Sequence, residues 1–268
     1  MLFANVLSDI ADRLGPDGHM SIAVEPRLIP LFQRSFPDAT VGRHVTGLLK
    51  GRHARQAPFI KDLAEIDLFA PMASLLREYR REVGAFPERD RFLVADPERV
   101  AHWREVLQGA GDGPKVGLLW KSALKRSGRA RYFSPFEAWA PILRQEGVAF
   151  VNLQYGDCAE ELAFVKKTLG VDIWQPPGID LKQDLDDVAA LCCAMDLTIG
   201  FSNATFNLAA ACGAPAWLIT TPAAWTLLGT ERYPWYPQAR VFKPEGFGAW
   251  DDVMAEIGDA LGAWASER

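Results

Sequence analysis

The residues best suited to chemistry in this sequence are basic and clustered. Between Lys115 and Arg131 the chain carries Lys115, Lys121, Lys125, Arg126, Arg129 and Arg131 and no acidic residue. Such a cluster can neutralise a phosphate or carboxylate, or it can be a solvated basic loop, and charge alone does not separate the two. Position favours a site: Lys121 and Ser122 follow directly on an apolar run that reads as a strand, at the carboxyl edge where open α/β sheets hold ligands. Nucleic acid is a poor fit, because the stretch lacks interleaved aromatics for base stacking and the 29 Lys and Arg are outnumbered by 34 Asp and Glu, a net charge of -5. Any anion must therefore meet a local site.

The segment from Thr198 to Pro215 is the second feature. A strand ends near Gly200–Phe201, Ser202 or Asn203 can cap, and a short Ala-rich helix runs to Gly213 with Pro215 past its end. Free N–H groups at such a helix start carry about half a positive charge and attract phosphate without a basic side chain. The plainer reading is an ordinary strand-turn-helix. A third feature, Asp180 to Asp187, invites comparison with the D-x-D pairs that hold a divalent ion. Asp184, Asp186 and Asp187, however, open a helix, where carboxylates belong for capping and dipole reasons, so structure outweighs metal. The amide of Gln154, also after an expected strand, could read a base or ribose or could simply belong to a turn. The histidines, His19, His44, His53 and His102, show no metal spacing, and no G-x-S-x-G is present. His44 is the only histidine that suggests a base. Cys158, Cys192, Cys193 and Cys212 form no C-x-x-C pair and read as reduced core residues.

These residues need a scaffold, and the second half supplies one by pattern. Short apolar runs at Lys115–Trp120, Ala149–Leu153, Val171–Trp174, Leu197–Phe201, Ala216–Ile219 and Arg240–Phe242 alternate with helix-length amphipathic segments, the signature of a parallel sheet wrapped by helices. The first half begins with a helical face, Met1 to Leu14, and only then a strand (Ser21–Val24) and a helix (Arg27–Phe36). A mononucleotide-type unit normally opens with a strand and a glycine turn, so the chain reads as lacking a leading strand. Gly109 to Pro114 reads as a linker between residues 1–112 and 113–268. The longest apolar stretches fall short of the roughly 18 residues of a membrane span, and with no basic-then-apolar leader the chain reads as cytoplasmic.

Several fragments, in this order, resemble the C-terminal half of GT-B glycosyltransferases of the heptosyltransferase and tetratricopeptide-repeat-linked type: Val116 to Ser122, Phe150 to Gly156, Asp180–Leu181, Asp184 to Ala190, Met195 to Leu197, Ser202 to Pro215, Pro234 to Pro237 with Arg240, and Trp250. The resemblance spans nearly the whole second half. It is nearest to flagellin glycosyltransferases, whose full-length members carry tetratricopeptide repeats upstream and transfer nonulosonic sugars of the pseudaminic acid type. In front, Val24 to Leu28 and Leu31–Phe32 also look similar, but the Gly-x-Gly-Asp-Glu loop that precedes them in relatives, the location of the catalytic base in related heptosyltransferases, is absent. Asn207 stands where many relatives place histidine.

The resemblance implies an α/β GT-B fold of two Rossmann-like domains facing a cleft. The second would bind a nucleotide sugar, and no metal or other cofactor would be required. Lys121, Ser122, Arg129 and Arg131 would neutralise its phosphate, and Gln154 would approach the base or ribose. Ser202, Asn203, Ala204, Thr205 and Asn207 would form the helix start beneath the phosphate. The acceptor, a Ser or Thr hydroxyl of flagellin or another protein, would enter from the first half, with Glu25 or His44 to take its proton. Two rivals stay open: heptosyltransferase-like transfer to lipopolysaccharide, and a non-catalytic nucleotide-binding domain.

Overall fold

The computed structural model describes residues 1–122 and 130–268. Arg129, with Lys125 and Arg126 of the basic cluster, lies outside the described residues. The chain opens with a 3₁₀ turn, Leu2–Val6, leading into α1 (Leu7–Leu14). Then come β1 (Ser21–Val24), α2 (Ile29–Ser35) and β2 (Thr40–Arg43), with β2 parallel to β1. An antiparallel hairpin follows, β3 (Val45–Leu49) and β4 (Arg52–Gln56). Its two-residue turn, Lys50 and Gly51, has φ of 51° and 75°, the left-handed pair that matches strand twist in tight hairpins. The short α3 (Leu76–Tyr79) and then α4 (Pro97–Val106), capped by Asp96 with Pro97 in the first turn, complete the front half.

The second half contains β5 (Lys115–Leu119), α5 (Ala140–Leu143), β6 (Ala149–Asn152), α6 (Ala159–Leu169), α7 (Leu185–Ala194), β7 (Leu197–Phe201), α8 (Ala204–Ala211), β8 (Ala216–Ile219), β9 (Arg240–Phe242) and α9 (Trp250–Ser266). The five strands form one parallel sheet in the order β6-β5-β7-β8-β9. Strands β6, β7 and β8 are buried along their whole length, as parallel strands covered on both faces must be. Val116, Leu118, Ile199 and Ile219 pack on one face with Trp139 and with Ile257 of α9. Leu119, Val151 and Leu218 pack on the other with Leu191 of α7 and Phe206 of α8, in a cluster that also takes in Leu7, Phe32, Leu93 and Trp103 of the front half.

The two halves are tied by charge as well. Arg34 of α2 makes a two-pronged contact with Asp186 (2.9 and 2.8 Å), Arg99 of α4 meets Asp187 at 2.6 Å, and Arg27 donates to the Lys182 carbonyl at 2.6 Å. Asp186 and Asp187 sit in the first turn of α7, the place their position in the sequence suggested, and the interface with the front half is a second use that the sequence did not show.

One expected strand shrinks. Val171–Trp174 contributes a single bridge, Trp174 opposite Val151, with hydrogen bonds to Phe150 and Asn152. Pro176 and Pro177 come two residues later, and a residue without N–H cannot extend a ladder.

Candidate functional site

The sheet order places β5 beside β7 while their chain connections leave in opposite directions, β5 toward β6 and β7 toward β8. The crevice at the carboxyl ends of two such strands is where open α/β sheets bind ligands. A cavity of about 690 Å³ opens there. Ser122 enters it from the β5 side and Tyr155 from β6; Ser202, Asn203, Ala204 and Asn207 come from the β7–α8 turn, and Thr220, Thr221 and Trp225 from the loop after β8. Tyr132 and Phe247, in edge contact with ring centres 6.2 Å apart, and Leu2 from the front half close its rim. Two glycines let β5, β6 and β7 approach closely beneath it. A Cβ on Gly200 would lie 2.4 Å from Leu119 Cβ, and one on Gly117 would lie 2.6 Å from Leu153 Cδ1.

The start of α8 has the expected form. Asn203 is the N-cap, its Oδ1 accepting the Phe206 N–H at 2.9 Å. Its Nδ2 is buried without a partner among the described residues. The first N–H groups of a helix have no acceptor inside it, so Ala204 and Thr205 turn unspent donors toward this end. Asn207, one turn on, donates to the Asn203 carbonyl at 2.6 Å and to Ser202 Oγ at 3.1 Å. The hydroxyl of Tyr233 donates to Asn207 Oδ1 at 3.1 Å and lies 3.0 Å from Ser202 Oγ. Burial pushes the Tyr233 phenol up to about 12, against a smaller opposing pull from hydrogen bonds with Ser202 and Thr226.

The other residues singled out in the sequence are placed as follows. Lys121 follows β5, but its ammonium is ion-paired with Glu161 of α6 and donates to the Asp157 carbonyl at 2.7 Å. Gln154 is buried. Its Oε1 accepts the N–H groups of Trp120 (3.2 Å) and Lys121 (2.9 Å), fastening the end of β6 to that of β5. Arg131 lies over the Tyr132 ring, 4.9 Å from its centre, and donates to the Tyr132 hydroxyl at 2.8 Å. Glu25 and His44 stand at the carboxyl ends of the paired β1 and β2, where the His44 N–H donates to the Val24 carbonyl. Glu25 caps the turn after β1 and pairs with Arg27 Nε at 2.9 Å. Neither Glu25 nor His44 lines the cavity. Sequence reasoning passed over Tyr233, Thr220, Thr221, Trp225 and Phe247. Only Tyr233 had a nearby signal, the aromatic Pro234–Pro237 segment that follows it.

No family model matches the chain. It is 54% identical over 266 residues to Protein FlbA of Caulobacter vibrioides, an overlap of 99% of this chain and 45% of that protein. The chain thus spans less than half the length of the curated relative it matches. Among solved structures it is similar to the glycosyl transferase family 9 protein of Veillonella parvula, at 14% identity over 66% of this chain and 54% of that one, with a TM-score of 0.46. A second is E. coli ADP-heptose LPS heptosyltransferase II, at 16% identity over 71% and 58%, TM-score 0.45. A third is a structure of EarP-mediated arginine glycosylation of translation elongation factor EF-P, at 14% identity over 93% and 94%, TM-score 0.36.

Proposed function

We propose that this chain is the GT-B glycosyltransferase region of a longer protein, and that it moves a sugar from a nucleotide-sugar donor to a Ser or Thr hydroxyl of a protein, with bacterial flagellin as the acceptor. The observation that carries the reading is the cavity at the β5–β7 crevice with the first turn of α8 on its wall. Displacement at an anomeric carbon develops negative charge on the departing phosphate. A helix start whose N–H groups already face that position stabilises the transition state without reorganising and without a metal. Residues 113–268 take the donor and residues 1–112 the acceptor side. The donor, by the family the motifs resemble, is a CMP-linked nonulosonic acid such as pseudaminic acid, the reaction is cytoplasmic, and tetratricopeptide repeats upstream present the acceptor.

Isothermal titration against CMP, UDP, ADP and GDP tests this. CMP should bind best; preferential binding of ADP would move the reading to heptosyl transfer, and binding of none would overturn it. One observation favours a second reading, nucleotide binding without transfer: Glu25 is committed to Arg27 and lies with His44 outside the cavity lining. Donor turnover by the full-length protein would exclude that alternative.

A further inference from the structure

Three side chains behind the cavity wall close a ring of hydrogen bonds: Tyr233 to Asn207 Oδ1 (3.1 Å), Asn207 Nδ2 to Ser202 Oγ (3.1 Å), and Ser202 Oγ to the Tyr233 oxygen (3.0 Å). The ring runs in one direction only. An amide can be turned end for end, but the end of Asn207 that meets Ser202 also lies 2.6 Å from the Asn203 carbonyl, which accepts and never donates. That end must be the NH₂. The other end is then the oxygen, which takes the single proton of Tyr233. With that proton spent, the Tyr233 oxygen can only accept from Ser202, so the Ser202 hydroxyl proton points back into the protein. Ser202 is exposed at the cavity and Tyr233 is buried, so the face left to a ligand is a lone pair of Ser202 Oγ.

We propose that Tyr233 is a positioning residue that, through Asn207, fixes Ser202 as a hydrogen-bond acceptor, so that Ser202 reads a hydroxyl or amide N–H of the sugar and leaves the phosphate to the backbone of α8. This rests on the donor-site reading above. It accounts for a serine beside an anion-binding helix start without making it one more phosphate donor.

The test is a double-mutant cycle read by titration with inorganic phosphate. In Tyr233→Phe the Ser202 proton is released to turn into the cavity, and phosphate should bind several-fold more tightly, up to about tenfold for a new bond to an anion. In Tyr233→Phe/Ser202→Ala that gain should vanish. A Tyr233→Phe variant that binds phosphate equally or more weakly, or a gain that survives loss of Ser202, overturns the proposal. A wild-type protein that binds neither phosphate nor CMP removes the donor-site reading instead. The direction of the ring is then judged without ligand, from the slowly exchanging Tyr233 hydroxyl proton in NMR spectra of the wild-type protein. Proximity of that proton to the Ser202 β-protons, rather than to the Asn207 side, would reverse the ring and overturn the inference even where the Tyr233→Phe variant fails to fold.

Discussion

Lys121, the cation best placed in the sequence for a donor phosphate, spends its charge on Glu161 of α6 and on the carbonyl of Asp157. Both side chains are three-quarters buried, each 24% exposed, so the pair is only partly screened by water. An anion entering from the β5–β7 crevice competes with a carboxylate already in place. The backbone N–H of Lys121 is spent too, on Gln154. The residue fastens β5, β6 and α6 together, and any role in binding must be won from that one.

Competition of this kind gives a signed expectation. Glu161→Gln removes the rival charge but keeps a side chain of the same size, and CMP should then bind more tightly, by roughly threefold. Lys121→Ala should weaken binding by about 1.5 kcal/mol, roughly tenfold, if the ammonium reaches the phosphate. Calorimetric titration of both variants separates the cases. Affinities that stay level in both would leave Lys121 a fastening between strands and α6.

The crevice depends on how closely β5 and β7 lie. A methyl group on Gly200 would sit 2.4 Å from Leu119 Cβ and 2.6 Å from the Leu119 carbonyl oxygen, and backbone cannot rotate away as a side-chain tip can. Gly200→Ala should therefore cost about 1–3 kcal/mol, as overpacked cores do, visible as a lower urea midpoint with an unchanged slope. The same variant should lose nucleotide affinity, because Ser202 and Asn203 follow two and three residues later.

The second half was legible because its strands are apolar on both faces and its helices carry their own start and stop residues. Asn203 at the start of α8, and Gly213 with Pro215 past its end, mark boundaries that depend on local chemistry alone. The β3–β4 hairpin was not legible: Arg52–Gln56 is exposed on nearly every residue, so no alternation marks it, and its turn relies on Lys50 adopting φ of 51°. The site divides in the same way. The α8 start was readable from Ser202 and Asn203, since capping is local. The engagement of Gln154 with the β5 amides, of Lys121 with Glu161 and of Tyr233 with Asn207 joins residues about 26 to 40 apart, and pairings at that range leave no periodic mark on a sequence.

The front half is held to α7 by charge that water only partly reaches. Arg34 is 24% exposed and Asp186 only 12%, and the guanidinium also meets Asp96 at 3.3 Å. The two-pronged bond to Asp186, with the Asp186 and Asp96 charges adding to it and burial opposing, leaves the Arg34 charge more firmly held than usual. Arg34→Ala strands the Asp186 carboxylate, and a loss of about 2–3 kcal/mol is expected, below the full cost for a sealed pair. Equilibrium denaturation measures it. The double variant Arg34→Ala/Asp186→Ala should recover part of the loss, because the stranded charge goes with its partner.

Asp96 gives this junction a pH dependence. The backbone N–H of Arg99 is the main cause that holds its carboxyl below the ordinary 3.8, with the Glu98 N–H and the charges of Arg34 and Arg99 adding to it and burial opposing. The folded protein thus binds this proton less readily than the unfolded chain does. The stabilisation from the charge is therefore complete above pH 3.8 and is lost as pH falls through the lower, folded value. Asp96→Asn isolates the effect, since asparagine still caps α4 through its oxygen but carries no charge. The variant should be less stable than wild type at pH 7, and the difference between their urea midpoints should shrink toward pH 3. A difference that stays constant between the two pH values would mean that Asp96 acts as a cap alone, and that Arg34 draws its hold on this junction from Asp186.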